Sequence, residues 1–307
     1  LISQKPRIAP QFGLGVGVLA AATASIFIRF AQAEGLASLV IAAARLTLAT
    51  LVLLPFVIWR YADELRTLPR RAWWLAMASG AFLALHFGAW ITSLAYIPVA
   101  SSVVLVSTAP LFVALVAAFF LNERLTRSIW LGMGLALIGS VLIGGSDICP
   151  PDKGCPTLGD FVQGPAFLGD VLALIGATAM GGYLNLGRVL RSGEHPMPLP
   201  VYILLTYGAG ALILSGVVWL TGLPVLGYSL NTYGWVLLLA LIPQLIGHTA
   251  FNWALKYLPA TYIAVTVLGE PIGSTLLAFL ILNETPAPIK LVGGGLLLIG
   301  ILIASRP

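Results

Sequence analysis

The chain has 307 residues, 59% hydrophobic and 9% charged, with a mean hydropathy of +0.99. A water-soluble globule is excluded, because 16 Lys and Arg with 11 Asp and Glu cannot cover the surface that a soluble domain of this size exposes. The net charge of +5 does not point to nucleic acid as a partner, since the basic residues stand in short loops between apolar runs, where they set membrane orientation.

Runs apolar and long enough to cross hydrocarbon, which takes roughly 20 residues in a helix, lie at residues 10–31, 36–59, 72–95, 98–121, 128–146, 167–190, 198–220, 232–256, 259–282 and 288–305. Continuous stretches such as Leu131 to Gly145 and Leu291 to Ile303 lack the alternation of a barrel strand, so ten helices are expected. The first run has no A-x-A-like cleavage site and is expected to stay in the membrane. Most basic residues, among them Arg60, Arg66, Arg70, Arg71, Arg124, Arg127, Arg188, Arg191 and Lys256, fall on one side of a ten-span chain. By the positive-inside rule both termini are cytoplasmic.

The chain repeats itself. Tyr96-Ile97-Pro98 recurs as Tyr257-Leu258-Pro259, Pro110 as Pro271, Leu121-Asn122-Glu123 as Leu282-Asn283-Glu284, and Gly132, Gly134 and Gly139 as Gly293, Gly295 and Gly300, always 161 positions on. The unit holds five helices, an odd number, so the second copy enters from the opposite side, as in transporters built from inverted repeats. The expected organisation is a first repeat at 1–147, a non-cytoplasmic loop at 148–166 and a second repeat at 167–307.

Each half carries a Pro within a helix, Leu-Asn-Glu at its end and then a Gly-rich helix: Pro110, 121–123 and Gly132-Met133-Gly134, against Pro271, 282–284 and Gly293-Gly294-Gly295. In this it resembles the drug/metabolite transporter superfamily, in particular the ten-helix branch of two EamA-type halves, and within it the bacterial exporters of aromatic amino acids. The resemblance implies an all-α integral membrane protein with a central cavity walled by eight helices, the fifth and tenth standing outside. It also implies an amino-acid substrate, no cofactor and a bacterial inner-membrane location, with no required oligomer. The second copy departs from the pattern, with Thr285-Pro286 where the first has Arg124-Leu125.

Polar side chains within spans need a partner or a wet cavity. Gln244, His248 and Asn252 recur every fourth residue on span 8, and Phe82, His86 and Trp90 do so on span 3, which places each set on one helical face. These stripes predict the cavity lining. Trp253, Tyr183, Tyr207 and Ser107 join it as deeper polar or aromatic positions, and mid-span Arg45 is a candidate partner for a substrate carboxylate. Thr23, Ser25, Ser101, Thr108, Asn185, Tyr202 and Thr206 are further polar positions, with hydroxyls expected to bond their own helices. Glu270, inside span 9, either takes a proton or holds a backbone carbonyl released by Pro271; the structural role is the expectation.

No Gly-x-x-x-x-Gly-Lys loop, His-Glu-x-x-His pair or Gly-x-Ser-x-Gly elbow occurs in the sequence, so neither an ATP-driven pump nor a membrane hydrolase has visible machinery. Three His also argue against a metal centre. Cys149 and Cys155 lie in the non-cytoplasmic loop, where a disulfide is expected. The sequence reads as a facilitative exporter of aromatic or neutral amino acids; a proton-coupled exporter of drugs or purines is the alternative, and an embedded enzyme or receptor is the reading from another class.

Overall fold

The structure, a computed structural model, describes residues 9–97, 99–120, 126–148, 165–282 and 288–304. All regular structure among them is helical. In chain order it comprises α1 (Pro10–Ala22), α2 (Ala24–Ala33), α3 (Ser38–Arg60), the short α4 (Ala62–Thr67), α5 (Arg70–Ser93), α6 (Val99–Val106), α7 (Ala109–Phe120) and α8 (Arg127–Ile148). There follow α9 (Pro165–Arg191), α10 (Leu199–Thr221), α11 (Leu230–Leu239), a π-helical stretch (Ala240–His248), α12 (Thr249–Ala254), α13 (Ala260–Val267), α14 (Glu270–Leu282) and α15 (Pro288–Ala304). Cys149, Cys155, Glu123 and Glu284 lie outside the described residues.

Among the described residues, seven helical stretches are long and apolar enough to cross a membrane, with shorter apolar helices at Ala109–Phe120, Arg127–Gly139 and Leu291–Gly300. Large apolar side chains such as Leu212, Trp219, Phe119 and Leu302 are exposed on their outer faces, as lipid contact requires. Local chemistry sets several ends. Pro200 occupies the first turn of α10 and Gly222, with φ of 65°, closes its last, because only a residue without Cβ enters that left-handed region freely. Ser229 caps α11 by accepting from Thr232 N at 3.1 Å.

Three of the predicted spans are interrupted rather than continuous, at Thr23, at Ser107–Thr108 and at Leu268–Gly269. Hydroxyls compete with the backbone at the first two breaks: Thr23 Oγ1 donates to Ala20 O, Ser107 Oγ to Val103 O and Thr108 Oγ1 to Leu105 O, each at 2.7 Å. Pro110 and Pro271 stand just beyond the second and third, and each lacks the N–H that would continue the ladder. The sequence spacing recurs in the helices themselves. α6 and α13 occupy positions 161 apart at both ends, and α7 and α14 begin 161 apart, as do α8 and α15.

Small residues allow the closest approaches. α5 crosses α10 where a Cβ on Gly80 would lie 2.5 Å from Thr206 O and Ala209 Cβ, and α8 meets α15 where one on Gly300 would lie 2.5 Å from Gly132 O. Such glycines let two backbones pack where lipid offers no hydrophobic drive.

At one end of the molecule, Glu34 ties the α2–α3 turn to the start of α11. Its carboxylate accepts from Ser229 Oγ, from Thr232 Oγ1 at 2.6 Å and from Trp235 Nε1 at 3.3 Å, while Phe30 packs on Trp235 with ring centroids 4.7 Å apart. The hydrogen bond from Ser229, then that from Thr232, holds the Glu34 pKa below its ordinary 4.5. A carboxylate with a depressed folded pKa stabilises the fold fully above its unfolded value and loses that contribution as pH falls through the folded one. The thermal midpoint of wild type should therefore exceed that of Glu34→Gln by a constant margin from neutral pH to about 5, the gap closing only below 4.5. A gap that closes between neutral pH and 5 would show that this carboxylate is not held in its ionised form.

Candidate binding cavity

The three helix breaks meet at one internal space. Its volume unfilled by protein atoms is about 680 Å³, open solvent at the mouth included. Ala21 and Ala24 flank the first break, Ser107 and Pro110 mark the second, and Leu268, Glu270 and Pro271 the third; Arg45, His86, Trp90, Met180 and His248 complete much of the wall. The wall draws on both halves of the sequence. Among the described residues, none of α8 or α15 lines it.

Arg45 is fully buried in α3. Its Nε donates to Gln244 Oε1 at 2.7 Å, and its guanidinium carbon lies 4.0 Å from the Phe87 ring centroid. The fork is thereby oriented, yet Nη1 and Nη2 find no acceptor among the described residues. No carboxylate among those residues lies within 4.0 Å of it. Two unpaired donors on a buried cation are costly, and Arg45 is part of the cavity wall.

His86 Nδ1 donates to Gly176 O at 2.9 Å, which leaves Nε2 of the neutral ring an acceptor. The imidazole stacks on Trp90, with centroids 5.9 Å apart and planes 15° apart. Trp90 Nε1 and His248 Nδ1 are buried without a protein partner among the described residues. His248 meets Phe87 edge-on at 5.0 Å and lies 6.5 Å from His86. The wall therefore combines flat aromatic surface with uncommitted polar groups.

Five residues expected in the lining sit elsewhere. Tyr183, Tyr207, Gln244 and Asn252 form a network behind the wall. Tyr183 OH donates to Asn252 Oδ1 at 2.8 Å, Asn252 Nδ2 donates to Tyr207 OH at 3.2 Å, and the Tyr207 and Thr249 hydroxyls are 3.2 Å apart. All four residues are fully buried, and their bonds hold α9, α10 and span 8 together. Trp253 faces α1 and Tyr257, 5.2 Å from the latter ring, and a Cβ on Gly13 would strike it.

The stripe on span 8 separates because Pro243 opens the helix into a π-helical stretch. There the Thr249 N–H bonds back five residues to Gln244 O. Wider turns advance fewer degrees per residue, so the face predicted from four-residue spacing is not preserved. His248 reaches the cavity; Gln244 turns to Arg45 and Asn252 to the tyrosines.

Glu270 lines the cavity, and no N–H or O–H of the described residues donates to its carboxylate. Met180 and Ser274 carried no signal in the sequence, one being an apolar residue and the other an isolated hydroxyl that donates to Ala22 O at 3.0 Å. Arg191, counted among the basic loop residues, is buried and donates through Nε to Asn252 O at 3.2 Å and through Nη1 to Met197 O. It closes the network where α9 ends.

A multi-pass helical bundle with broken helices around a polar, partly apolar cavity defines a membrane transport protein of the kind that carries small solutes through its interior. The chain belongs to the EamA-like transporter family, which its residues 11–145 and 167–306 match. An uncharacterized transporter of Archaeoglobus fulgidus is 27% identical over 69% of each chain. The pseudopaline exporter CntI of Pseudomonas aeruginosa is 23% identical over 76% of this chain and 75% of its own. A "Probable terminal-alkyne amino-acid exporter" of Streptantibioticus cattleyicolor is 25% identical over 69% and 65%. A crystal structure with 18% identity superposes with a TM-score of 0.74 over 96% of both chains, a likeness of fold.

Proposed function

We propose that the chain is a secondary carrier that exports amino acids, aromatic or neutral, down their gradient by alternating access of the central cavity. It has ten transmembrane helices in two inverted five-helix repeats and resides in a bacterial inner membrane with both termini cytoplasmic. The observation that carries the substrate class is Arg45, buried and oriented on the cavity wall with two free Nη donors. A planar fork of this kind suits a carboxylate, and the stacked His86 and Trp90 offer the flat contact that an aromatic or apolar side chain needs. Relatives named as exporters of pseudopaline and of an amino acid support the direction. The recurrence of helix bounds at 161 positions supports the repeat.

Movement follows from the same features. Short half-helices that meet at breaks can tilt without tearing a continuous ladder, so the wall can close on one side while opening on the other. The test is uptake of a labelled amino-acid panel into liposomes holding purified protein. Entry of aromatic or neutral amino acids, independent of an imposed pH gradient, is expected; movement of a non-amino-acid metabolite with no amino acid carried would overturn the assignment.

A further inference from the structure

Arg45 and Glu270 face one cavity from different halves of the chain, Arg45 from α3 and Glu270 from the first turn of α14. Each lies near enough to feel the other's charge across the cavity, yet among the described residues no ion pair within 4.0 Å joins them or ties either to another residue. The rest of each side chain's environment is settled. Gln244 and Phe87 fix the guanidinium, and Pro271 follows Glu270 directly, where the chain turns into α14.

The repeats differ here in a useful way. α7 begins at Ala109 and α14 at Glu270, 161 positions on, so the half bearing Arg45 has no acid at its helix start and the other half has one. A carboxylate in the first turn complements the positive end of its own helix, which accounts for its tolerance at that place. It does not account for an accepting face turned to the cavity without a donor. The wall thus has a positive pole and a negative pole that face one cavity without touching.

We propose that Arg45 and Glu270 together read the two charges of a zwitterionic substrate, the guanidinium taking its carboxylate and the Glu270 carboxylate its ammonium. This rests on the reading of the cavity as the carrier's substrate site and names the two groups that select the substrate. A molecule with only an anionic group leaves Glu270 desolvated and unpaired, and one with only a cationic group leaves Arg45 so. Unpaired buried charge is a strong penalty, so the pair rejects singly charged analogues of equal shape. Trp90 Nε1, also without a partner, adds a donor, and His86 Nε2 an acceptor, near the same wall.

The experiment is competition binding to the purified full chain in detergent, with labelled phenylalanine, tryptophan and leucine as probes. For each probe the competitors are the amino acid, its amide, which lacks the carboxylate, and its desamino acid, which lacks the ammonium. Wild type should hold the amino acid at least about tenfold more tightly than either analogue, as expected for loss of one charge-assisted contact. In Glu270→Gln the amino acid and desamino acid should compete within about threefold of each other, while the preference over the amide persists. Glu270→Asp should recover part of the lost discrimination.

Equal binding of all three competitors to wild type would overturn the clamp while leaving the amino-acid assignment standing. So would a Glu270→Gln protein that weakens amino acid and desamino acid by one common factor, the mark of a structural role. A third overturning result is a Glu270→Gln protein that keeps wild-type discrimination but loses pH-driven accumulation, since the acid would then carry a proton. Absence of competition by any amino acid against folded wild type would remove the assignment and the clamp together.

Discussion

Arg45→Gln should reduce amino-acid exchange in liposomes by about a hundredfold or more, with the protein still monodisperse in detergent. Each hydrogen bond to a charged group contributes about 1.5–3 kcal/mol, and the two free Nη groups can make two such bonds to one carboxylate. A loss of roughly 3–6 kcal/mol corresponds to two to four decades in affinity. Gln is chosen because its amide can still meet Gln244 Oε1, which Ala would leave unpaired in a buried setting. Arg45→Lys retains the charge but presents a point in place of a fork, so it should fall between the two. Exchange at the wild-type rate in Arg45→Gln would remove Arg45 from the substrate site.

Gly80→Ala should destabilise the protein by about 2 kcal/mol, and Gly80→Val should not accumulate as folded carrier. The added Cβ would lie 2.5 Å from a backbone oxygen, Thr206 O, as well as from Ala209 Cβ, and a main-chain atom in a helix cannot rotate away. Overpacking of this kind typically costs 1–3 kcal/mol and occasionally more, about 0.5–1 of which the better helix propensity of Ala offsets. Gly216→Ala is the control. It sits on the partner helix α10 with no heavy atom within 4 Å of the new Cβ, so only the propensity gain of about 0.5–1 kcal/mol remains. Thermal unfolding of both variants in one detergent measures the opposite signs; an equal response would mean that the α5–α10 contact is not this tight.

The helices were legible because apolar length alone demands them. Ser38–Arg60 and Leu199–Thr221 are each apolar on average over a membrane's thickness, and a helix satisfies all of its backbone groups within one such segment. Of the helix breaks only the one at Pro271 is foreshadowed, as the residue that releases a backbone carbonyl; Thr23, Ser107, Thr108 and Pro110 stand out in the sequence as polar or repeated residues and not as interruptions of the ladder. Arg45, His86, Trp90, Ser107 and His248, which line the cavity, stand out in the sequence because polar groups at depth are rare.

Tyr183, Tyr207, Gln244 and Asn252 share that rarity and were assigned to the wall on the same ground. Composition does not distinguish a polar group turned to a cavity from one spent on a neighbouring helix, and these four bond to one another or to Arg45. Pro243 carried the warning that the four-residue spacing would fail. Glu34 was invisible for a different reason, since its partners Ser229, Thr232 and Trp235 lie about 200 positions away and only the assembled bundle brings them together.

The central claim, that a cavity shared by both halves carries amino acids by alternating access, is tested most directly by counterflow. Liposomes with purified protein are loaded with an unlabelled aromatic amino acid, and entry of a trace of the labelled compound is followed. A single site exposed to one side at a time returns faster when occupied, so loading should accelerate entry and drive transient accumulation above equilibrium. Labelled entry that is indifferent to loading, with the compound moving as through an open pore, would contradict alternating access, and no entry of any amino acid would contradict the substrate.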